Sequence, residues 1–539
     1  MSSAATQNGC WPGLPTFGKL ATLGLWPQGS NMLIGLDVGT TATKALLFDL
    51  NGGGVAAATV PYGLITPQAG WVEQDPEELW RAVVAALRTI ADQLRPADQV
   101  IALAQSSQGG TTIPVDAAGQ PTHHAISWMD GRTQAECDEM RAQGQADAIY
   151  ERTGWPLMAG LPLQHIRWLD RQRPDLFARA RRFLFVNDFI GWRLTGELCM
   201  NPSDASITQL LDIATGDWDD GLLALAGIRR DQLSPVRPSA AIVGRLTAEA
   251  SAATGLPTGL PVVNGAHDQY CAALGTGVTR PGSVLLSCGT AWVLLAVPES
   301  LAVGRRSGMA LSCHAVAGRW GAIRSLGAVG ASLEWLADNV WANRQPVLAD
   351  RPGGQEPRPA LYEAINAAAA RSEPGARGLL FFTLAGGHSG SYGLAQGGFV
   401  GLQLSHTRDD LSRAVMEGIA CELRWALDEI RAAGVAVREL KMVGGAARSP
   451  IWPQIVADVT ATPVEVPAIT EAASWGAAVL AGIGAGVFAS ADAAGQMSAV
   501  WARHLTPAQG AQGCHLSERW QPWAAIFERY RACRGGTGL

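Results

Sequence analysis

The chain has 539 residues, 47% hydrophobic and 16% charged, with a net charge of −6 and no long run of one sign. That composition fits a packed globular protein, excludes a disordered chain and gives no footing for a nucleic-acid or membrane-surface partner. The length far exceeds the roughly 250–300 residues at which single cores stop growing, so two large domains are expected.

The first 31 residues are rich in Pro, Gly and Trp and lack the basic start and unbroken apolar core of a signal peptide. Met32 directly precedes the first strand-like run, so residues 1–31 read as a disordered extension. From Leu33, LIGLDVGTTATKALLFD gives an apolar run, a Gly/Thr turn and a second apolar run, which predicts a β-hairpin. Val55–Tyr62 follows as a third strand. Asp75-Pro76-Glu77-Glu78 combines an N-cap acid, proline at the first helical position and acids in the first turn, predicting a helix to about Leu94. Val100–Ala104 returns to a buried strand.

A second hairpin, SVLLSCGTAWVLLAV, starts at Ser283. Gly39-Thr40 and Gly289-Thr290 lie 250 positions apart, which reads as a duplicated core with one such loop per domain. Asp409 to Ala433 has helical spacing and stops at Gly434. Leu440–Val443 is a short strand ending in Gly444-Gly445, with Ala-rich helices near 450–460 and 472–482. Beyond about 505 the chain reads as an irregular tail with a short terminal helix. Alternating strands and helices place it in the α/β class. The longest apolar stretch, Trp475 to Ala489, is shorter than the ~20 residues of a spanning helix and predicts a buried one. Nine scattered cysteines with no C-x-x-C pair argue against a disulfide framework or zinc site and fit a reducing cytosol.

Three segments carry candidate chemistry. In Asp37-Val38-Gly39-Thr40-Thr41-Ala42-Thr43-Lys44, glycine lets backbone N–H groups approach a phosphate and threonine hydroxyls add donors. Asp37 at the strand end suits Mg²⁺, and Lys44 could add positive charge; a plain hairpin turn with an acid at a strand end fits the same residues. No G-x-x-x-x-G-K-[ST], H-R-D or D-F-G signature is present, which excludes a P-loop or protein kinase. In Asn264-Gly265-Ala266-His267-Asp268-Gln269 an apolar approach ends in a turn presenting one carboxylate. Asp268 suits a general base for an alcohol nucleophile, a helix N-cap, or both; His267 reads as a supporting residue rather than the base. In Gly444-Gly445-Ala446-Ala447-Arg448-Ser449-Pro450, paired glycines between a strand and a helix leave room for a flat ring or a phosphate.

Taken together these segments resemble the FGGY family of carbohydrate kinases over about residues 33 to 490. The resemblance rests on DVGTTATK with Asp49 downstream, GWVEQDPEELW at 70–80, WMDGR at 128–132, AHDQYCAALGTG at 266–277 and GGAARSPIWPQIVAD at 444–458, with RAVMEGIA at 413–420 and GAAVLAG at 476–482 completing the order. It implies a two-domain actin-like, ribonuclease H-like ATPase fold with a duplicated core. Residues 32–277 would form the sugar-binding, base-bearing domain, residues 278–505 the nucleotide domain, and residues 506–539 a tail. It also implies ATP and Mg²⁺ as cofactors. Asp37 would hold the metal, and Gly39, Thr40, Thr41, Lys44, Gly289 and Thr290 would face the phosphates. Gly444, Gly445, Ala446, Ser449 and Gln454 would surround adenosine. Asp268 would be the base, and Gln108, Trp128, Asp130 and Gln269 would line the sugar site.

The expected partner is a small sugar or polyol, most simply a pentulose such as xylulose, with ribulose, erythritol or glycerol as alternatives. A homodimer and a cytoplasmic location are consistent with the resemblance. A non-catalytic nucleotide-binding protein of the same fold is the rival reading. Two departures stand out. Similar kinases place polar, substrate-contacting side chains where this chain has Gly109-Gly110, so glycine there is expected to remove polar contacts and leave room. Ala385-Gly386-Gly387-His388-Ser389 stands where relatives often have an acidic, Pro-containing loop.

Overall fold

In a computed structural model, the structure describes residues 29–342, 358–387, 397–492, 501–507 and 517–534. Most of the expected N-terminal extension (1–28), and His388 and Ser389 of the second departure, lie outside these residues. The N-terminal half is built on a six-stranded sheet: β1 (Asn31–Val38), β2 (Ala42–Asp49), β3 (Gly54–Pro61), β4 (Gln99–Ser107), β5 (Ile242–Arg245) and β6 (Pro261–His267), in the order β5-β6-β4-β1-β2-β3. The C-terminal half has seven: β7 (Gly282–Cys288), β8 (Trp292–Ala296), β9 (Ala310–Cys313), β10 (Trp320–Ser325), β11 (Val437–Gly444), β12 (Val464–Pro467) and β13 (Trp501–Leu505), in the order β9-β10-β8-β7-β11-β12-β13.

Each sheet repeats one plan. An antiparallel three-strand run (β1-β2-β3; β7-β8-β10) is continued by two parallel strands (β4, β6; β11, β12) and closed by an antiparallel edge (β5; β13). The two Gly-Thr turns occupy matching places, between β1 and β2 and between β7 and β8. A smaller four-stranded sheet of Glu73–Gln74, Ala125–Ile126, Thr112–Val115 and Arg182–Phe185 flanks the N-terminal half.

Five helices matter for the site: α1 (Pro76–Ala91), α2 (Asp268–Gly275), α3 (Arg408–Ala432), α4 (Trp452–Thr460) and α5 (Ala472–Gly484). α1 starts as its sequence predicts: the Asp75 carboxylate accepts from the Glu77 N–H at 2.9 Å, and Leu79, Val83, Leu87 and Ile90 bury one face. α3 begins one residue earlier than expected, because Thr407 and Asp410 cap each other reciprocally.

α5 belongs to the C-terminal half in sequence, yet it lies against β1, β4 and α2. The approach is close enough to require glycine. A Cβ on Gly35 would sit 1.8 Å from the Ser474 carbonyl oxygen, and one on Gly476 would sit 1.8 Å from that of Cys271. Around this helix a core shared by both sheets buries Leu33, Phe48, Val263, Leu274, Leu285 and Leu295, with the Trp475 ring tilted against Phe48 at a centroid separation of 5.1 Å.

The tail is more ordered than its sequence suggests. Within it an 18-residue helix, Ser517–Arg534, buries Phe527 and Tyr530, and the Tyr530 hydroxyl donates to Glu422 at 2.7 Å; the strand before the tail, β13, pairs with β12. No helix among the described residues is long and apolar enough to cross a membrane. The seven cysteines among them are unpaired.

Candidate active site

Strand register gathers the chemistry. β1, β4 and β6 run parallel, with Asp37 beside Ser106 and His267 beside Ser107. Their C-terminal ends therefore converge on Asp37, the Ser107–Gly110 segment and Asp268, the first residue of α2. In open α/β sheets this is the edge where ligands bind.

The Ser106 hydroxyl donates to Asp37 Oδ1 at 2.7 Å. The Asp37 carboxyl is pushed up to about 6, mainly by burial and next by the negative charge of Asp268, against the pull of Ser106 and Lys44. This surplus of negative charge fits a site for a divalent cation. Among the described residues no cluster of three or more His, Cys, Asp or Glu side chains forms a metal cage.

The first Gly-Thr turn is closed by Gly39 N–H donating to Ala42 O at 3.0 Å. Side chains brace it from several sides. The Tyr62 hydroxyl donates to Gly39 O at 2.5 Å, Gln74 Nε2 to Thr40 O at 2.8 Å, and Trp128 Nε1 to Thr40 Oγ1 at 3.1 Å. The second turn is closed by Gly289 N–H donating to Ala291 O at 3.1 Å and is backed by Gly330 N–H donating to Thr290 O at 3.0 Å. Within the described residues the main-chain N–H groups of Thr40, Thr41, Thr290 and Ala291 donate to no protein acceptor, which is what a phosphate-facing turn needs.

Several expected site residues have other duties. Lys44 forms an ion pair with Glu471, the N-cap residue of α5, at 2.7 Å, so its charge is shared with the other half of the chain. Asp130 is buried and accepts from Val72 N–H at 2.5 Å and from Arg132 Nε and Nη2, each at 2.8 Å. Arg132 also reaches Glu73 at 2.7 Å and stacks on Trp71. The Asp130 carboxylate thus ties the Val72 main chain to Arg132. Gln269 accepts from Ser287 of β7 at 3.1 Å and is turned toward the C-terminal sheet. Gln454 Nε2 is engaged by Asp458 at 2.8 Å and by the Thr506 carbonyl at 2.9 Å.

Trp128 and Gln108 lie beside the first turn. Trp128 is 46% exposed beside the first turn. Gln108 is buried, donates to Gln74 at 2.9 Å, and has no partner for its Oε1 among the described residues.

The Gly109-Gly110 pair does not leave room. A Cβ on Gly109 would lie 2.5 Å from His267 Cδ2 and 2.9 Å from Ile207 Cγ2, and one on Gly110 (φ +78°) would lie 3.1 Å from Trp128 Cβ. The expected space is filled from behind by other side chains.

At the third loop, Gly444 has φ +92°, and a Cβ there would meet the Cys288 carbonyl oxygen at 2.5 Å, so only glycine lets β11 end against β7. Ala446–Arg448 forms one tight turn. The Ser449 hydroxyl donates to Asn366 at 2.7 Å and accepts from Trp452 N–H, the first of α4, at 3.0 Å.

Sequence reasoning missed four participants. Asp204 is buried between Asn201 Nδ2 (2.7 Å) and Ser107 Oγ (3.4 Å), its carboxyl pushed well above the usual range by burial. The others are Ser106, Glu471 and Arg503, whose guanidinium donates to Ser449 O at 2.7 Å and also to Ala447 O. Ser106, Glu471 and Arg503 act through partners far away in sequence, and Asp204 reaches Ser107 across 97 positions besides its local bond to Asn201.

Fold and site define a two-domain protein with paired phosphate-type turns, one acidic strand end and one carboxylate at a helix start. The N-terminal domain of the FGGY family of carbohydrate kinases matches residues 32–275, and the family's C-terminal domain matches residues 284–485. The chain belongs to this family and is a carbohydrate kinase with the actin-like ATPase fold. It is 31% identical over 432 residues to the xylulose kinase of Escherichia coli strain K12, covering 80% of this chain and 85% of that protein. It is also 29% identical to the gluconokinase of Bacillus subtilis strain 168 (88% and 92% covered) and 31% identical to the autoinducer-2 kinase of Yersinia enterocolitica (88% and 90% covered). The xylulose kinase structure from Rhodospirillum rubrum superposes with a TM-score of 0.80 at 30% identity, covering 94% of this chain and 98% of that one.

Proposed function

We propose that this carbohydrate kinase transfers the γ-phosphoryl group of ATP to a hydroxyl of a small sugar, a pentulose such as xylulose, with Asp268 as the general base. The observation that carries the reading is the convergence of Asp37, Asp268 and the first Gly-Thr turn at the ends of β1, β4 and β6. Residues 32–277 take the sugar and residues 278–505 the nucleotide. Gly39, Thr40, Thr41, Gly289 and Thr290 receive the phosphates, and Gly444–Ala446 with Ser449 lie along the adenosine. Mg²⁺, held at Asp37, would supply positive charge beside the transferring phosphoryl group.

The chain's own residues do the remainder. Asp268, at the open end of α2, accepts the hydroxyl proton as the alcohol oxygen attacks. Unpaired N–H groups of the turns donate to phosphate oxygens as their charge grows. Gln108 Oε1 is an acceptor for a sugar hydroxyl, and Trp128 forms the rim. The Lys44–Glu471 pair ties the first turn to α5 and hence to closure of the two halves, which excludes water as a competing acceptor. A cytoplasmic location matches the free thiols.

The relatives' names include xylulose, gluconate and autoinducer-2 kinases at similar identity, so the acceptor is the part to test. An ATP-consumption screen over xylulose, ribulose, gluconate, erythritol and glycerol should give one acceptor a kcat/KM well above the rest, with xylulose first. ATP binding without turnover on any acceptor would instead support a non-catalytic role. Asp268→Asn should fold normally and lose about 10²–10⁴-fold in kcat; transfer at near wild-type rate would remove Asp268 from the base role.

A further inference from the structure

His267 ends β6 immediately before Asp268 and is buried to 8% exposure. Its ring fills the volume beside Gly109, where a single added Cβ would lie 2.5 Å from Cδ2 and 3.0 Å from Nε2. Behind it stands Tyr270, with ring centroids 5.8 Å apart. Tyr270 is itself anchored to the C-terminal sheet, its hydroxyl donating to Gly321 O at 2.9 Å. The His267 main-chain N–H donates to Ser203 Oγ at 2.9 Å, and that hydroxyl donates to Asn201 at 2.7 Å. Backbone and ring are therefore fixed from three directions. The ring's Nε2 lies 3.4 Å from Asp268 Oδ1.

We infer that His267 is the positioning residue for the Asp268 carboxylate and that Gly109 is the glycine that gives its ring room, so one side chain sets both the aim of the base and the inner wall of the acceptor pocket. The inference rests on the reading of Asp268 as the base. With its hydrogen on Nε2, the ring would donate to Oδ1 after a small closing movement, leaving the other carboxylate oxygen for the incoming hydroxyl; in this structure the two are in contact without a formed hydrogen bond. At 3.4 Å the contact is longer than the usual N–H···O range of about 2.7–3.2 Å, as catalytic contacts often are before substrate binds.

Burial pushes the imidazole below its ordinary pKa despite the neighbouring carboxylate. A neutral imidazole orients Asp268 without placing a full positive charge beside it, which would weaken it as a base. Nδ1 is buried with no hydrogen-bond partner among the described residues, so hydrogen bonding on that side does not explain the ring's placement.

The test uses the full-length enzyme with ATP·Mg and xylulose, or the best acceptor of the panel above if xylulose is not turned over. His267→Ala should lower kcat by about 10–100-fold while KM for acceptor and ATP shift less than about threefold, the pattern of a misaimed base rather than lost binding. His267→Gln, whose amide nitrogen reaches the Nε2 position, should recover most of the loss. Gly109→Ala should fall as far as His267→Ala, and the Gly109→Ala/His267→Ala double variant should be no slower than either single one, because losses within one shared unit do not multiply.

A wild-type kcat in His267→Ala, a Gln variant no better than Ala, or multiplied losses in the double variant would each overturn the inference. If Gly109→Ala does not fold, soluble double variant supports the shared volume and insoluble double variant overturns it. Asp268→Asn separates the two readings. Full transfer in that variant removes the base assignment, whereas a dead Asp268→Asn beside a fully active His267→Ala removes only the role of His267.

Discussion

The two Gly-Thr turns occupy matching places in the duplicated sheets, yet they differ in what surrounds them. Asp37-Val38-Gly39-Thr40 aligns with Ser287-Cys288-Gly289-Thr290, so the acid at the end of β1 is a serine at the end of β7. Asp37 has Ser106 as its neighbour on the parallel strand and accepts its hydrogen bond; Ser287 has Val443. The first turn is held by Tyr62, Gln74 and Trp128, whereas the second is exposed and backed by the Gly330 main chain. Duplication preserved backbone geometry, which suffices to offer N–H groups to phosphate. Charge was placed in only one copy, the one next to Asp268.

Exchanging the acid is the strongest way to break this comparison. Asp37→Ser makes the first turn like the second and should reduce phosphoryl transfer by about 10³-fold in steady-state assays, a loss on the scale of removing an electrostatic anchor of the transition state. Adding Ser287→Asp to that variant should not restore it, because Asp268 lies beside the first turn. Restored transfer would mean that the two turns are interchangeable.

A smaller effect probes the second turn. A Cβ on Gly330 would lie 2.3 Å from Gly289 O, so Gly330→Ala should displace that turn. It should raise KM for ATP by about tenfold, roughly 1.4 kcal/mol, with KM for the acceptor unchanged. A rise in the acceptor KM instead would assign the second turn to the sugar.

The smallest effect is on stability. The Asp37 carboxyl titrates near 6 in the folded protein against 3.8 ordinarily, so between those values the folded state holds a proton that the unfolded chain has released. Wild-type stability contributed by this group therefore falls as pH rises from about 4 to 6 and is level above that window. Asp37→Asn lacks the dependence. Thermal unfolding without nucleotide should show the variant gaining on wild type across the window; a gap that is flat or narrows as pH rises would contradict the buried, like-charged setting of Asp37.

Local signals made much of the fold legible. The Asp75-Pro76 start of α1, the strand alternation around both Gly-Thr turns and the glycine stop after α3 depend on residues within a few positions of one another. Asp37 and Asp268 were also legible, because a lone acid at a strand end followed by glycine or a helix start is a short-range pattern. Gln108 and Trp128 came through the family resemblance and lie beside the first Gly-Thr turn. Asp130 was expected to line the sugar site from its motif alone; that its carboxylate is engaged by Arg132, which also reaches Glu73 from another strand, could not be read there. Lys44 was read as a phosphate contact, and its partner Glu471 lies 427 positions away.

What the sequence by itself determined is the class: two hairpin turns, two well-placed acids and an ordered set of motifs written in neighbouring residues. What only the tertiary structure decided is how those pieces press on one another. The Gly109-Gly110 pair suggested open space, and packing filled it with His267, Ile207 and Trp128. The tail suggested an irregular end with a short helix, and packing of Phe527 and Tyr530 made it an 18-residue helix; just before it, pairing of β13 with β12 brings Arg503 to the Ser449 loop. Short-range hydrogen bonds and steric rules select local conformation from a few consecutive residues. Which side chain occupies a given volume depends on strands and helices hundreds of residues apart, and their approach is fixed only when the cores close.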